Sequence, residues 1–281
     1  MPVKLLRLGF TECSLLFMNW LNKYKNIHDT SITISKNNLI KWLYTTSGYY
    51  DKTQVGEYFN VVHKLNDPKV YNEYMEIIYN FIKNADVFDY KFHDLPHKHL
   101  IEEFKKTINP KIESYMSQEI IFNFISNKKI LIISPFSPLI KSQLETGNCK
   151  VIYHSTPDIT SICTYTFPYT FFNNGPHHNI LETSDFIFDD IISKINDEYD
   201  SVLISCGAYS CLIGKKFYDI GKNVCVCGGD LQTFFGILNQ RTKDAFKKNN
   251  IQIQHEECWI TKIPDEYKPE GYMRIEDGCY W

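Results

Sequence analysis

The turn at residues 205–209 combines small residues in a way that could bind an anion. It follows the apolar run 202–204, leads into a segment of helical character, and contains Gly207, Ala208 and Tyr209. Small residues at the start of a helix let backbone N–H groups approach a phosphate. The pattern predicts a diphosphate site, unless the glycine serves only a tight turn and close helix packing.

A second turn, residues 227–230, repeats this arrangement after the apolar run 224–226. Gly228 and Gly229 supply the small residues, and Asp230 could cap the helix that follows. If both turns end strands of one sheet, they lie at its carboxyl edge, where open α/β folds bind ligands. Neither turn has the G-x-G-x-x-G spacing, so the sequence does not indicate a dinucleotide cofactor.

A third turn begins at Ser134, after the apolar run 130–133, and a helical segment with Lys141 and Gln143 follows it. The Lys141 ammonium would suit a phosphate that loses its water on binding. A solvated surface lysine is the competing interpretation, because most lysine side chains are exposed.

The elements that would position these turns are strands and helices in alternation. Short apolar runs rich in β-branched residues predict buried parallel strands at 130–133, 151–153, 202–204 and 224–226. Segments of helical character lie at 138–144, 185–195, 208–220 and 230–248. The alternation predicts an α/β fold with a Rossmann-like parallel sheet flanked by helices.

The amino-terminal half has a different pattern, in which segments 13–24 and 71–83 carry apolar side chains at helical spacing. We therefore expect one domain, residues 1–281. Within it, residues 1–127 would be mainly helical, and residues 128–281 would be Rossmann-like and would bind the nucleotide.

Composition excludes several classes of protein. A formal net charge of −3 gives no global field to attract nucleic acid. The apolar runs are far shorter than the roughly 20 residues that span a membrane. Arg7 and Glu12 interrupt the apolar start of the chain, so we expect no secretory signal.

The nine cysteines indicate a reducing compartment. Their odd number and irregular spacing favour buried thiols over a disulfide framework, so we expect a cytoplasmic protein. Cys225 and Cys227 are separated by one residue, which is typical of a strand and is too close for a zinc knuckle.

The carboxyl-terminal half resembles the glycosyltransferases of the GT-D fold. Segments 204–209, 219–222 and 227–237 look like the carboxyl-terminal signature of that family. The ending, 276–281, is similar to its glycine-cysteine-tyrosine-tryptophan terminus, and segment 134–143 resembles its strand-helix motif.

The amino-terminal half resembles the family more loosely. Residues 7–12 are similar to its motif of arginine, aromatic residue, glycine and glutamate, and residues 47–50 resemble its glycine-aromatic turn. In the family this first motif supplies an Asp-x-Glu pair that serves metal and donor binding. Here the position of the Asp is Phe10, so Glu12 stands without an acidic companion.

The resemblance implies transfer of a sugar from a UDP- or GDP-sugar to a glycan or protein acceptor, in a GT-D-like domain. It makes Mn²⁺ or Mg²⁺ possible, with Glu12 as a possible ligand, although one carboxylate is few for a divalent ion. Donor binding would fall on Arg7, Gly9, Thr11, Gly48, Tyr49, Ser134, Lys141, Gln143, Gly207, Ala208, Tyr209, Gly228, Gly229 and Gln232.

Two acidic residues are candidates for the base that meets the acceptor hydroxyl in a direct displacement. Glu12 is the first choice and Asp230 the second. Glu12 could instead be a carboxylate that the dipole favours at a helix start. Asp230 could instead be a helix cap.

Other residues and functions remain open at this point. His177 and His178 lie in the predicted loop 173–178, a flap or a surface turn, and the aromatic rings could stack on a nucleobase or sugar or simply form core. These aromatic residues are Tyr49, Tyr50, Tyr280 and Trp281. A Rossmann-like methyltransferase that binds S-adenosylmethionine, or a non-catalytic nucleotide- or glycan-binding module, is the alternative function.

Overall fold

The computed structural model describes residues 1–54, 68–92, 95–171, 174–195 and 198–281. Within these ranges the strands are β1 (Lys4–Arg7), β2 (Val87–Asp89), β3 (Ile112–Glu113), β4 (Lys128–Ser134), β5 (Ile159–Thr166), β6 (Ser201–Ile204) and β7 (Asn223–Val226). The α-helices are α1 (Phe10–Lys25), α2 (Thr30–Thr46), α3 (Lys69–Ile82), α4 (Ile101–Ile108), α5 (Gln118–Ile125), α6 (Ser137–Glu145), α7 (Asn148–Tyr153), α8 (Ile180–Lys194), α9 (Ser210–Asp219), α10 (Leu231–Phe234) and α11 (Gln240–Lys248).

These elements form two compact units that each combine separate stretches of the chain. The first unit consists of Met1–Met116, Tyr169–Asn196 and Gly207–Val226, and the second unit consists of Ser117–Pro168, Asp197–Cys206 and Cys227–Trp281. The strands follow the order β3-β2-β1-β7 in the first unit and β6-β4-β5 in the second, and all these pairs are parallel. The predicted α/β fold, with parallel Rossmann-like strands and flanking helices, is confirmed. The expected single GT-D-like domain stays a prediction.

The first unit is built around β1 and helix α1. Leu6 of β1 is fully buried and lies opposite Val226 of β7. Helix α1 buries Leu15, Leu16 and Trp20, which is the apolar face that the helical spacing predicts. Each such side chain contributes about 1.5–3 kcal/mol when it leaves water, so this face fixes the helix on the unit.

The second unit is built around β4, which pairs with β6 and with β5. Four successive residues of β4, Ile130, Leu131, Ile132 and Ile133, have no exposed surface. A strand that is apolar at every position is covered on both faces, as parallel strands in α/β proteins are. The strands predicted at 130–133, 202–204 and 224–226 are therefore confirmed as β4, β6 and β7.

The strand predicted at 151–153 is wrong, because these residues end helix α7. Gly147 precedes that helix with φ of 76°, and Cys149 in its first turn is fully buried. A three-residue apolar run is too short to separate the period of a strand from that of a helix. The strand beside β4 is instead β5, whose mostly half-exposed, threonine-containing sequence has no apolar run.

The continuous helix predicted at 230–248 is also wrong, because the structure breaks it after Phe234. Gly236 has φ of 74°, which a helix does not contain. A new helix, α11, begins after Asn239, whose side chain accepts a hydrogen bond from the Thr242 N–H.

The described residues between 1 and 127 form five α-helices and are mainly helical, as expected, but they also supply β1, β2 and β3. These strands have four, three and two residues, which is too short for a period-2 pattern. Seven of the nine cysteines are buried, in agreement with the expected buried thiols. Among the described residues, no helix is long and apolar enough to cross a membrane.

The contribution of the close approach between Gly207 and Ser47 to stability can be tested by substitution. Gly207 has φ of 57°, and an added Cβ would overlap the Ser47 carbonyl oxygen, which is backbone and cannot rotate away. We expect Gly207→Ala to lower the free energy of unfolding by about 2–4 kcal/mol in urea titrations, through backbone strain and overlap.

Gly221→Ala is the matched control. Gly221 also has positive φ, 84°, but no atom lies within 4 Å of its added Cβ, so the cost should be only about 1–2 kcal/mol. Equal losses in the two variants would show that the contact with Ser47 contributes nothing.

Candidate functional site

Arg7 is fixed at the carboxyl end of β1 by Asp89 on the neighbouring strand β2. Its Nε lies 3.6 Å from Asp89 Oδ2, and the two side chains are only 11% and 6% exposed. The same Asp89 oxygen accepts the Met116 N–H at 2.8 Å. A buried carboxylate needs such partners. The ion pair with Asp89 therefore fixes the orientation of the Arg7 guanidinium.

Glu12 is the third residue of α1 and is 8% exposed. A Cβ on Gly9, the N-cap residue that precedes the helix, would lie 2.5 Å from Glu12 Oε2, so the carboxylate lies against the helix start. Burial raises the pKa of Tyr74 well above its usual value, and the charge of Glu12 raises it further. Glu12 therefore has the position of a helix-start carboxylate, and its charge also acts on a buried tyrosine.

The glycine turns of the first unit contact each other. Ala208 donates its N–H to the Ser47 carbonyl at 2.8 Å, and its own carbonyl accepts from the Tyr74 hydroxyl at 3.1 Å. Gly48, which has φ of 79°, follows Ser47 directly. The turns at 47–49 and 207–209 thus meet although they are far apart in sequence. The Ala208 N–H points at Ser47 and not at an anion, which corrects the expectation drawn from the sequence.

Tyr49 is a core residue. It has no exposed surface, and its ring packs edge-on against Tyr44 at 4.7 Å and Tyr74 at 5.1 Å between ring centroids. Tyr209 is 1% exposed, and Thr11 on α1 is 7% exposed. All three side chains are buried, as Glu12 is, so their contact with a donor stays a prediction.

Tyr50 anchors the loop that contains the two histidines. The Tyr50 hydroxyl bonds to Thr183 Oγ1 and accepts the His177 N–H at 3.2 Å, and His177 Nδ1 lies 2.8 Å from the same threonine oxygen. His178 is exposed and bonds to Glu182 at 3.1 Å. Both histidines therefore have structural partners. Residue 173 of the predicted loop lies outside the described residues.

Two serines lie at the strand ends of the second unit. Ser134 at the end of β4 is 1% exposed, and its Oγ accepts the Phe136 N–H at 3.2 Å. Ser205 directly follows β6, and its N–H donates to the Ile133 carbonyl of β4 at 2.9 Å. This bond continues the pairing of β6 with β4. Its Oγ donates to the Gly228 carbonyl at 2.7 Å. The carboxyl end of β6 thus brings the Ser205 hydroxyl to the second glycine turn, whereas the Ser134 hydroxyl bonds within its own turn.

Gly229 has an aromatic neighbour from the end of the chain. An added Cβ would lie 3.0 Å from the Tyr280 ring. Tyr280 is held by Arg241, whose guanidinium lies 4.6 Å from the ring centroid and donates to the hydroxyl at 3.1 Å. Burial raises the pKa of Tyr280. Tyr280 therefore packs within the protein against a residue that the sequence assigns to the donor.

Asp230 and Gln232 differ in how the structure uses them. Asp230 is half-buried at the start of α10, and its side chain makes no capping bond to that helix, so the expected cap is wrong. Gln232 is 3% exposed and bonds to Asn239 and, at 3.5 Å, to the Tyr280 carbonyl. Gln232 joins α10 to the chain end, whereas Asp230 stays the second candidate for the base.

The side-chain amide of Gln143 makes hydrogen bonds within the protein. It is 2% exposed, and its Nε2 donates to the carbonyls of Gly236 and Cys258, each at 2.9 Å. Its Oε1 accepts from Asn148 at 2.7 Å. Lys141, on the same helix, is 38% exposed and lies 3.7 Å from Glu145. Both Nε2 hydrogens of the buried Gln143 are thus used within the protein, while Lys141 is accessible.

The described residues do not fit a protein-bound divalent ion. No group of three His, Cys, Asp or Glu side chains among them could hold a metal. Asp89, the carboxylate beside the amino-terminal motif, is already bonded to Met116 and paired with Arg7. The ring of Phe10, at the position of the family's Asp, packs edge-on against Trp42 at 5.7 Å. A cation would need most of its oxygens from the substrate.

Comparison of the chain with protein-family models, with curated proteins and with solved structures gives no match. The likeness to the GT-D glycosyltransferases therefore rests on the sequence motifs. Because an α/β fold supports many chemistries, function has to be argued from the residues of the site.

Sequence reasoning missed three residues that organise these clusters. Asp89 ends a strand of three residues, too short to be recognised, so its pairing with Arg7 had no visible signal. Tyr74 was interpreted only as an apolar position of the helix predicted at 71–83. Ser205 was interpreted only as a small residue of the turn at 205–209. The position of Ser205, directly after a predicted strand, was the one usable signal.

Gln143 and Lys141 provide a paired test of these assignments. Gln143→Met leaves two carbonyls without their donor, so we expect the free energy of unfolding to fall by about 2–3 kcal/mol and UDP affinity to stay within about twofold. Lys141→Met on the same helix should change stability by less than about 0.5 kcal/mol. It should weaken binding of UDP more than of uridine.

Urea denaturation and calorimetric titration measure the two quantities. A stable Gln143→Met variant that has lost UDP binding would restore the donor role of Gln143. Equal losses for UDP and uridine in Lys141→Met would remove Lys141 from the phosphate contacts.

Proposed function

We propose that this protein is a glycosyltransferase that moves a sugar from a UDP- or GDP-sugar to a hydroxyl of a glycan or protein. The observation that carries the proposal is the convergence of family-like segments in the first unit. The Tyr74 hydroxyl bonds to Ala208, and Ala208 bonds to Ser47. Burial and, after it, the charge of Glu12 raise the pKa of Tyr74. Residues 7–12, 47–50 and 207–209 belong to this unit and to segments that resemble the GT-D enzymes.

The proposed chemistry is a direct displacement at the anomeric carbon. The acceptor oxygen forms a bond to that carbon while its proton passes to the Glu12 carboxylate. The bond from the anomeric carbon to the diphosphate breaks, and the diphosphate leaves with the electron pair. The Arg7 guanidinium, held by Asp89, is a cation of this unit that could stabilise the leaving charge. Asp230 is the second candidate for the base.

Metal dependence should be partial at most. The protein provides Glu12 but no cluster of ligands among the described residues, so Mn²⁺ or Mg²⁺ would be held mainly by the donor. The steps above do not require the ion.

A non-catalytic nucleotide- or glycan-binding module is the second candidate. The observation in its favour is Phe10, whose ring pairs with Trp42 where the family has its first acid. Such a module would bind the donor without turnover, and Glu12 would serve only the start of α1.

We also propose a cytoplasmic location. All nine cysteines are free thiols and seven are buried, as in proteins kept in a reducing compartment.

Glu12→Gln tests the proposed base. The amide keeps the size and hydrogen bonding of the side chain but cannot accept the proton, so we expect release of the nucleoside diphosphate to slow by about 100-fold or more. The free energy of unfolding should change by no more than about 1 kcal/mol, the value of a helix-start charge.

Glu119→Gln is the matched control, since Glu119 is an exposed carboxylate in the first turn of α5. It should lose no activity. If Glu12→Gln turns over at the wild-type rate, Glu12 is a helix-start charge and the base must be sought at Asp230.

A further inference from the structure

A pocket of about 440 Å³ lies in the first unit and contains none of the candidate donor-binding residues. Its buried floor includes Leu16, Trp20 and Met75, contributed by α1 and α3. The volume falls in the range of small-molecule sites, about 300–1,000 Å³. The pocket is therefore large enough for a ligand of its own.

Lys36 brings a positive charge into this pocket. It is half-buried on α2, and its Nζ lies 5.2 Å from the centroid of the Tyr71 ring. It has no hydrogen bond or ion pair with any residue that the structure describes. Burial lowers the pKa of Lys36. Because a desolvated ammonium is costly without a counter-charge, the pocket favours a ligand with an anionic group.

Asn22 brings an acceptor into the same pocket. Its Oδ1 is buried and has no hydrogen-bond partner among the described residues. Asn19 also lines the pocket, and its Nδ2 donates to the Tyr71 hydroxyl at 3.1 Å, which leaves its Oδ1 as a further acceptor. Amide oxygens of this kind need O–H or N–H donors from the ligand.

Aromatic side chains form part of the rim. Tyr24 and Tyr79 lie with ring centroids 6.4 Å apart, and Tyr24 is 52% exposed. Flat rings suit the apolar C–H face of a sugar, whose hydroxyls can meanwhile donate to amide oxygens. Glu76 is an exposed rim residue, so water screens its charge more than that of Lys36.

We infer that this pocket binds a small anionic carbohydrate, a sugar phosphate or a sugar acid. The anionic group pairs with Lys36, and the ring lies against the tyrosines of the rim. Hydroxyls donate to the Asn19 amide oxygen and to that of Asn22, which a rotation of the Asn22 side chain brings to the pocket surface. The site does not depend on the proposed transferase activity, since binding here needs no donor and no turnover.

Calorimetric titration of the full chain tests the inference, with glucose 6-phosphate, glucuronate, glucose, inorganic phosphate and aspartate as probes. At least one of the two acidic sugars should bind, and at least about tenfold more tightly than glucose, phosphate or aspartate. Lys36→Met should weaken that binding by about tenfold or more. Lys41→Met, an exposed residue of the same helix, should leave it unchanged.

Asn22→Asp is the second variant, because a carboxylate at this position repels the anionic sugar while it keeps the side-chain size. It too should weaken binding by about tenfold or more. Lys36→Met should unfold at the same or a higher urea concentration than the wild type, since it removes a half-buried charge that has no ion pair with the described residues.

Three outcomes would overturn the inference. The first is glucose, phosphate or aspartate binding as tightly as the acidic sugars, and the second is unchanged binding in Lys36→Met. The third is the absence of binding by both acidic sugars at millimolar concentration. Loss of turnover in Glu12→Gln with intact sugar binding would separate this site from the proposed transferase site.

Discussion

The hydrogen bond from the Ala208 N–H to the Ser47 carbonyl, 2.8 Å long, is the constraint on which the first unit's candidate site depends. It forms only because Gly207 has no Cβ to overlap that carbonyl, and it brings the start of α9 to the end of α2. Tyr74 then bonds to the Ala208 carbonyl, so both polar groups of this residue are satisfied within the protein. Since unpaired buried peptide groups are costly, these bonds leave the turn little freedom to move.

Charged side chains near the start of α1 determine which chemistry the first unit could perform. The buried Asp89 fixes Arg7, and Glu12 adds a second carboxylate at the start of α1. Tyr74, whose pKa burial and the charge of Glu12 raise, packs against Tyr49, and both tyrosines are fully buried. Charges act over longer distances in such surroundings than in solvent. A base and a cation in one unit are the minimum that a displacement with a diphosphate leaving group requires.

The sequence predicted the elements whose pattern is long or uniformly apolar. It identified β4, where four adjacent residues are buried, and the apolar face of α1. It failed at residues 151–153, where three apolar residues fit a helix as well as a strand, and it missed β5, which has a mostly half-exposed sequence.

Among the site residues, the role of a glycine was ambiguous in the sequence. Gly207 permits a close approach, but the group that approaches it is the protein's own backbone and not a ligand. Gln143 was ambiguous because an amide that binds a donor and one that joins two loops look the same in sequence. Position 10 was informative, since an aromatic residue there argues against a metal-binding acid pair, and its ring packs on Trp42.

Binding of a nucleotide-sugar donor is the central claim, and a thermal-denaturation panel on the full chain measures it most directly. UDP-glucose, GDP-mannose, UDP and GDP would be compared with S-adenosylmethionine. At about 100 times its dissociation constant, a ligand adds roughly 2.7 kcal/mol to the stability of the folded state, which is readily seen as a higher midpoint. We expect at least one nucleotide sugar and its diphosphate to raise the midpoint, and S-adenosylmethionine to leave it unchanged. A shift with S-adenosylmethionine alone would contradict the claim and favour a methyltransferase.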